Sequence, residues 1–248
     1  MLMPNFFDLI LEHKRKKTLR KIARQQYETS RGFAHLSILR SAKIVIDRRL
    51  GQFEKGLLSY QNDLKKLTLE TNDELERALE KNIVLTRLQE VPGIGPQLSN
   101  RIVSNSFRGH IRDLKLASSS VPGIGGSKQY LINKWVENYI AQLPDLLQKP
   151  YAGKNEIVSE ADRKRKEILD SIDRIRDKKS SLLIQQRTIK TWIVELEKVD
   201  EKDFLTAMIS PEIVENDLVS FQKGIFADWE QIPDWFKDIC VLASRENV

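Results

Sequence analysis

The sequence of 248 residues contains a single cysteine, Cys240, so no disulfide can form within the chain. The only histidines are His13, His35 and His110. One cysteine and three scattered histidines cannot form the usual Cys/His spacings of a structural zinc site. Eleven glycines and eight prolines are few for a β-sandwich or a barrel. The apolar stretch at residues 1–11 is too short to span a bilayer. We therefore expect a soluble cytoplasmic protein that has no cofactor and no bound metal.

Charged residues make up 31% of the chain, a composition typical of long exposed helices, and this favours an all-α fold. The formal net charge is +6, but the charge is unevenly distributed. Residues 200–248 hold eleven acidic and four basic residues, a net charge of −7, so residues 1–199 carry +13. The chain thus has one part suited to binding phosphates and another part that phosphates would repel.

Two stretches have apolar residues at the alternating spacing of three and four that characterises coiled coils. Since they are similar in length and lie on either side of one segment, an antiparallel hairpin would bury both. A parallel homodimer is the alternative. The first stripe contains Leu50, Phe53, Leu57, Tyr60, Leu64 and Leu67. The second contains Ile168, Ile172, Ile175, Lys179, Leu182, Gln186, Ile189, Ile193 and Leu196.

The patterns divide the chain into five predicted segments. The segment between the arms is expected to be a separate head, bounded by Asn72-Asp73 on one side and by Pro144, Pro150 and Gly153 on the other. The five segments are a basic N-terminal helix at 1–32, a first coiled-coil arm at 33–82, the head at 83–150, a second coiled-coil arm at 154–199, and an acidic, aromatic-rich helical segment at 200–248. The two termini are expected to form a small helical base.

A six-residue pattern occurs twice in the head, as VPGIGP at 91–96 and as VPGIGG at 121–126. Proline fixes the entry to a tight turn, and the glycines permit positive φ and close approach of another backbone. The isoleucine between the glycines anchors the turn in the core. The following helix then starts with its free N–H groups directed outward, where they and the helix dipole can bind a phosphate oxygen.

This repeat resembles the tandem helix-hairpin-helix family of DNA-binding domains, over about a quarter of the chain. The resemblance implies that each hairpin grips the backbone of one DNA strand across the minor groove, and that a pseudo-two-fold axis relates the hairpins. It also implies two phosphate sites at main-chain amides. The first would be formed around Gly93, Ile94 and Gly95, and the second around Gly123, Ile124 and Gly125.

Polar side chains that follow each hairpin are placed to assist these amides. The connector at 107–116 resembles the bridging helix of the family, with Phe107, Ile111 and Leu114 as core positions. Gly126 stands where Pro96 stands in the first copy, so we expect a looser second hairpin. The assisting side chains are Gln97, Asn100 and Arg101 after the first hairpin and Ser127, Lys128 and Gln129 after the second.

Two segments outside the head have functional alternatives. The basic run at 14–24 can bind a phosphate backbone, pair with the acidic end of the chain, or lie on an anionic membrane through Phe6, Phe7 and Ile10. A membrane is the weakest of these three. Short helices interrupted at Pro211 and Pro233 are expected to bury the aromatic residues of 200–248 in a second core, or to offer a docking surface to a protein partner. The aromatic and large apolar residues concerned are Phe204, Leu205, Met208, Ile209, Ile213, Leu218, Phe221, Ile225, Phe226, Trp229, Trp235 and Phe236.

No enzyme motif is found in the sequence. Asp113 and Asp145 follow the repeats at about the distance of the catalytic aspartate in some DNA glycosylases, but no lysine nucleophile accompanies them. We therefore expect a non-enzymatic protein that binds double-stranded or branched DNA without base preference. A protein-interaction scaffold whose head docks on protein, and a DNA-binding accessory subunit of a repair or defence enzyme, are the alternatives.

Overall fold

The computed structural model describes residues 6–210, 216–226 and 228–246. These residues are helical with short connections and include no strand, which confirms the predicted all-α class. Contacts divide the chain into two units. The terminal unit comprises residues 1–56 and 174–248, and the central unit comprises residues 57–173.

The described residues form α-helices and three short 3-10 helices, at Leu88–Glu90, Ile111–Leu116 and Trp229–Gln231. Two of the α-helices are much longer than the others and contain the two heptad stripes. The α-helices are α1 (Phe6–Thr29), α2 (Arg31–Arg87), α3 (Pro96–Ser106), α4 (Ala117–Ser120), α5 (Gly126–Gln148), α6 (Lys154–Leu196), α7 (Glu201–Ile209), α8 (Asn216–Lys223) and α9 (Asp234–Glu246).

Helix α2 continues without a break through Asn72-Asp73, where the sequence predicted the edge of the head. The carboxylate of Asp73 forms an i,i+4 ion pair of 3.0 Å with Arg77, and the hydroxyl of Thr71 donates to the carbonyl of Leu67 at 2.7 Å. These contacts satisfy the polar side chains within the helix. The end of the first predicted arm and the start of the head therefore lie on one helix. Helix α5 likewise continues through Pro144.

In the terminal unit, α2 and α6 contact each other in antiparallel order. Arg40 pairs with Glu197 at 2.7 Å, Gln186 donates to Asp47, and Lys179 pairs with Glu54 at 2.9 Å. As the residue number rises along α2, the partner's number falls along α6. Lys179 and Gln186, the two polar interruptions of the second stripe, thus have carboxylate partners on α2.

Aromatic side chains from both ends of the chain form the core of the terminal unit. Phe204, Phe221 and Phe236 are each 2% exposed and share one cluster with α2 and α6. Tyr27 of α1 stacks on Phe221, with ring centroids 5.4 Å apart. The acidic segment therefore contributes to a core, as its aromatic content predicted. The expectations for Pro211 and Ile213, and those for the side chains of Phe6, Phe7, Ile10 and Trp229, lie outside the described part of the chain.

Candidate nucleic-acid interface

The two VPGIG segments of the central unit form turns with the same backbone conformation. We call residues 91–95 the first Gly-Ile-Gly turn and residues 121–125 the second. Gly93 and Gly123 have φ values of 79° and 94°, in the left-handed region that favours glycine. Gly95 and Gly125 are extended, with φ of −84° and −95°, and each is the N-cap of the next helix.

The pattern of buried and exposed residues is also the same in the two copies of the repeat. From residue 91 to 100 and from 121 to 130, the order of buried and exposed positions is the same at all ten places. In each turn the isoleucine is buried and its N–H donates to the carbonyl of the valine three residues earlier, at 3.0 Å for Ile94 and 3.3 Å for Ile124. The repeat in the sequence is therefore a repeat in structure, at an interval of thirty residues.

Both turns leave the start of the following helix open. Neither α3 nor α5 has a side chain that caps its N-terminus. The earliest main-chain bonds to the caps are from Ser99 to Gly95, at 2.9 Å, and from Gln129 to Gly125, at 3.0 Å. The N–H groups of residues 97, 98, 127 and 128 precede these bonds and have no acceptor among the described residues.

The replacement of Pro96 by Gly126 does not change the turn. Both residues occupy the first position of their helix, and the preceding caps have the same extended conformation. The expected loosening of the second hairpin is therefore not seen in the backbone. Because glycine has an N–H group and proline has none, the second helix presents one main-chain donor more than the first.

The turns contact each other's helices reciprocally. A Cβ atom built on Gly93 would lie 3.5 Å from Cε of Lys128, at the start of α5. A Cβ atom built on Gly123 would lie 3.9 Å from Cδ1 of Leu98, at the start of α3. Lys128 and Leu98 are equivalent positions of the repeat, and so are the two glycines. The contacts relate the halves as a local two-fold axis would, and they place the two turns side by side.

The sequence that contains the two turns is basic. Residues 91–112 and 114–136 include no aspartate or glutamate. The ammonium group of Lys128 donates to the carbonyl of Gly123 at 3.1 Å, which holds this cation at the second turn. The basic residues of the two segments are Arg101, Arg108, Arg112, Lys115, Lys128 and Lys134.

The structure distinguishes between the predicted site residues. Ile94 and Ile124 are buried at 3% and 8% exposure, so they contribute their main chain alone. Gln129 is also buried, and its Nε2 donates to the carbonyl of Lys115 at 2.8 Å and to Oδ1 of Asn133 at 2.9 Å. Its amide group therefore does not face solvent. The side chains of Gln97, Asn100, Arg101 and Ser127 are exposed.

Tyr130 is a surface residue of the repeat that the sequence analysis missed. It stands thirty residues after Asn100 and is 67% exposed. Aligning the two hexapeptides at this interval would have identified it. The same alignment pairs Gln129 with Ser99, which is also buried.

Two carboxylates of the central unit position the connector between the turns. Oε2 of Glu80, on α2, accepts a bond of 2.6 Å from the N–H of Ile111 and lies 3.3 Å from Nδ1 of His110. Burial raises the pKa of Glu80 above its ordinary value, and the Ile111 and His110 contacts act against this shift. Asp113 accepts bonds from the N–H groups of Arg108 and His110, at 2.9 and 3.0 Å. Asp113 is therefore engaged in a turn.

Among the described residues, no group of three or more His, Cys, Asp or Glu side chains could hold a metal ion. The helices of that part of the chain include none long and apolar enough to cross a bilayer. Comparisons of the chain with protein-family models, with curated proteins and with solved structures found no match.

Proposed function

We propose that the chain binds double-stranded or branched DNA through its phosphate backbone, at the two Gly-Ile-Gly turns. The observation that carries this proposal is the open helix start behind each turn, which recurs with the same backbone and burial over ten residues. Unpaired N–H groups and the positive end of a helix dipole attract a phosphate oxygen. Such contacts read no base, so binding is independent of sequence.

The reciprocal contacts support a site made of both turns. Lys128 lies against Gly93, and Leu98 lies against Gly123. The free amides at the starts of α3 and α5 are therefore close neighbours within one unit. Successive phosphates along one strand or across a groove would then engage both sets together. The positive charge of 91–136 supports a polyanion as the ligand, since Asp113 is its only carboxylate and that group accepts two main-chain bonds.

The heptad stripes of α2 and α6 supply the second part of the proposal. Their antiparallel pairs in the terminal unit support an intramolecular coiled coil, in which Lys179 and Gln186 find carboxylates on the other helix. A parallel homodimer would leave these polar seam residues without those partners. We propose that the coiled coil is a spacer that serves assembly and that the protein is not itself an enzyme.

The decisive experiment is a fluorescence-anisotropy titration of a labelled duplex over a range of salt concentrations. The test variant carries Gly95→Val and Gly125→Val. Both glycines are extended, and a Cβ atom on either would meet nothing within 4 Å, so a side chain here has open space at the start of the helix, where the free amides lie. Thr188→Val and Thr191→Val form the matched control, because both lie on α6 in the terminal unit.

For the wild type and the control variant, log affinity should fall linearly and steeply with log salt. The double glycine variant should lose at least tenfold in affinity while its circular dichroism remains helical. Equal affinities of all three proteins would reject the turns as the DNA site. They would favour the protein-interaction scaffold, for which Leu116 and Tyr130, 73% and 67% exposed, are the candidate contacts on the central unit.

A further inference from the structure

Helix α1 exposes its basic half to solvent. Residues 11–22 are all exposed except Leu19, which is half-buried. Residues 11–24 contain seven cations and one carboxylate, Glu12, which gives a net charge of +6. At 100° per residue the cations surround most of the helix circumference. They are Lys14, Arg15, Lys16, Lys17, Arg20, Lys21 and Arg24.

The other half of α1 is anchored in the terminal unit. Ala23 is 1% exposed and belongs to the core. Tyr27 is stacked on Phe221 and also meets the edge of Phe204, with ring centroids 5.9 Å apart. The basic half is therefore held as a helix by a fixed end and does not need to order itself on binding, which lowers the entropic cost of association.

The cations of α1 are largely unpaired. Lys16 pairs with Glu12 at 2.7 Å and Arg24 pairs with Glu28 at 2.8 Å, both within the helix. The other five cations make no ion pair with any residue that the structure describes. The acidic C-terminal segment meets α1 through α7, where Glu201 interacts electrostatically with Arg24. Internal neutralisation of residues 14–21 by that segment is thus not observed in the described part of the chain.

We infer that residues 14–24 of α1 are a second nucleic-acid-binding element, so that one chain holds two duplex segments at once. The bridging rests on the proposed function of the turns, whereas binding by α1 itself does not. Cations around most of a helix suit a phosphate backbone, which presents charge on both sides of a groove. A helix lying on a membrane needs a separate apolar face. Along residues 11–22 only Leu11, Leu19 and Ile22 are apolar.

Binding by α1 is tested in a chain whose turns are blocked by Gly95→Val and Gly125→Val. In that background, five unpaired cations are changed together: Lys14→Gln, Arg15→Gln, Lys17→Gln, Arg20→Gln and Lys21→Gln. The control removes five exposed cations elsewhere in the terminal unit: Lys178→Gln, Arg187→Gln, Lys190→Gln, Lys202→Gln and Lys223→Gln.

The blocked chain should still bind duplex DNA with a salt slope, d(log K)/d(log salt), between about −3 and −4.5, as three to five phosphate contacts give. The α1 variant should abolish this binding, and the control should change the slope by less than about one. Equal losses in both variants would show a general effect of charge and overturn the inference. The unmodified chain is also tested on vesicles that contain phosphatidylserine. If the α1 variant loses vesicle binding but binds duplex as well as the blocked chain does, the inference is overturned in favour of a membrane.

Bridging is tested with one duplex fixed to beads and a second, fluorescent duplex in solution. The full chain should retain the second duplex on the beads. Capture should fall at least tenfold in the turn-blocked chain, and also in a chain that carries the five α1 substitutions with intact turns. Capture that persists in this second chain would show bridging through two copies of the protein and would overturn the inference. If blocking the turns leaves single-duplex affinity unchanged, the proposed function of the turns fails, whereas loss confined to the five α1 substitutions still assigns binding to α1.

Discussion

The Nζ atom of Lys128 donates a hydrogen bond of 3.1 Å to the carbonyl oxygen of Gly123, five residues earlier. This bond fixes a cation at the second Gly-Ile-Gly turn, and the stem of the same side chain reaches Gly93 of the first turn. One side chain thus lies against both turns and places its positive charge at the second. In the proposed binding mode this charge would attract a phosphate held by the free amides of the second turn.

Lys128→Gln should therefore weaken duplex binding and reduce the magnitude of the salt slope by about one, the amount expected for one lost phosphate contact. The free energy of unfolding should change little, because the hydrogen bond is exposed to solvent. Salt-dependent anisotropy titrations measure the slope. Lys178→Gln, an exposed lysine of the terminal unit, is the control. An unaltered slope for Lys128→Gln would place the phosphate elsewhere.

The four glycines of the turns should respond differently to alanine. Gly93 and Gly123 have positive φ, so alanine at either position should destabilise the central unit by about 1–2 kcal/mol. Gly95 and Gly125 are extended and open, so alanine there should leave the free energy of unfolding within about 0.5 kcal/mol of wild type. Hydrogen exchange of amides in α3 and α5 measures the stability of this unit. Similar losses at all four positions would contradict the assigned turn geometry.

The two long helices could be predicted because their apolar stripes are periodic in the sequence. The polar seam residues Lys179 and Gln186 were visible as interruptions, but their partners Glu54 and Asp47 lie more than one hundred residues away. The sequence also predicted a boundary at Asn72-Asp73, because such residues favour turns. An i,i+4 ion pair and the core contacts further along α2 keep that segment helical.

In the candidate site, the glycine pattern was sufficient to predict the turns, since only backbone conformation is required there. Side-chain direction was harder to predict. Gln129 was expected to face the ligand, but it is buried against the connector, and Tyr130 takes the exposed position. The role of Glu80 could not be predicted from the residues near it in the sequence either, because its partner Ile111 lies 31 residues further along the chain.

Glu80 should make the stability of the central unit depend on pH. Burial raises the pKa of Glu80 in the folded state above its ordinary value, so folding favours the protonated form. The stabilisation that Glu80 contributes is therefore fully present below the pKa that it has in the unfolded chain. It is lost as pH rises through the higher pKa that Glu80 has in the folded protein. Glu80→Gln keeps an acceptor for Ile111 but cannot ionise. The wild type should thus lose stability relative to this variant as pH is raised from 4 to 8.

Denaturation of both proteins at several pH values measures that difference. Glu80→Ala is the companion variant, since it leaves the buried N–H of Ile111 without its acceptor and should be less stable than Glu80→Gln by about 1–3 kcal/mol at every pH. A difference between wild type and Glu80→Gln that stays constant across the range would mean that Glu80 does not titrate there. The hydrogen bond to Ile111 would then be its only role.

Gly32 and Gly51 lie on the same helix, α2, in the terminal unit, and alanine should act on them in opposite directions. A Cβ atom on Gly32 would clash with the carbonyl oxygen of Phe221 and lie 2.7 Å from its ring, which is stacked on Tyr27. Because the main chain of α8 is involved, Gly32→Ala must displace that helix, at a cost of about 1–3 kcal/mol. A Cβ atom on Gly51 would meet nothing within 4 Å.

Gly51→Ala should consequently stabilise the terminal unit by about 0.5–1 kcal/mol, the helix-propensity difference between the two residues. Urea denaturation followed by hydrogen exchange in α2 and α8 measures both changes. Because the substitution and the helix are the same, stabilisation by both changes would show that helix propensity dominates at both sites and that Phe221 moves without cost. Destabilisation by Gly32→Ala alone would mean that the close contact between α2 and α8 requires glycine at position 32.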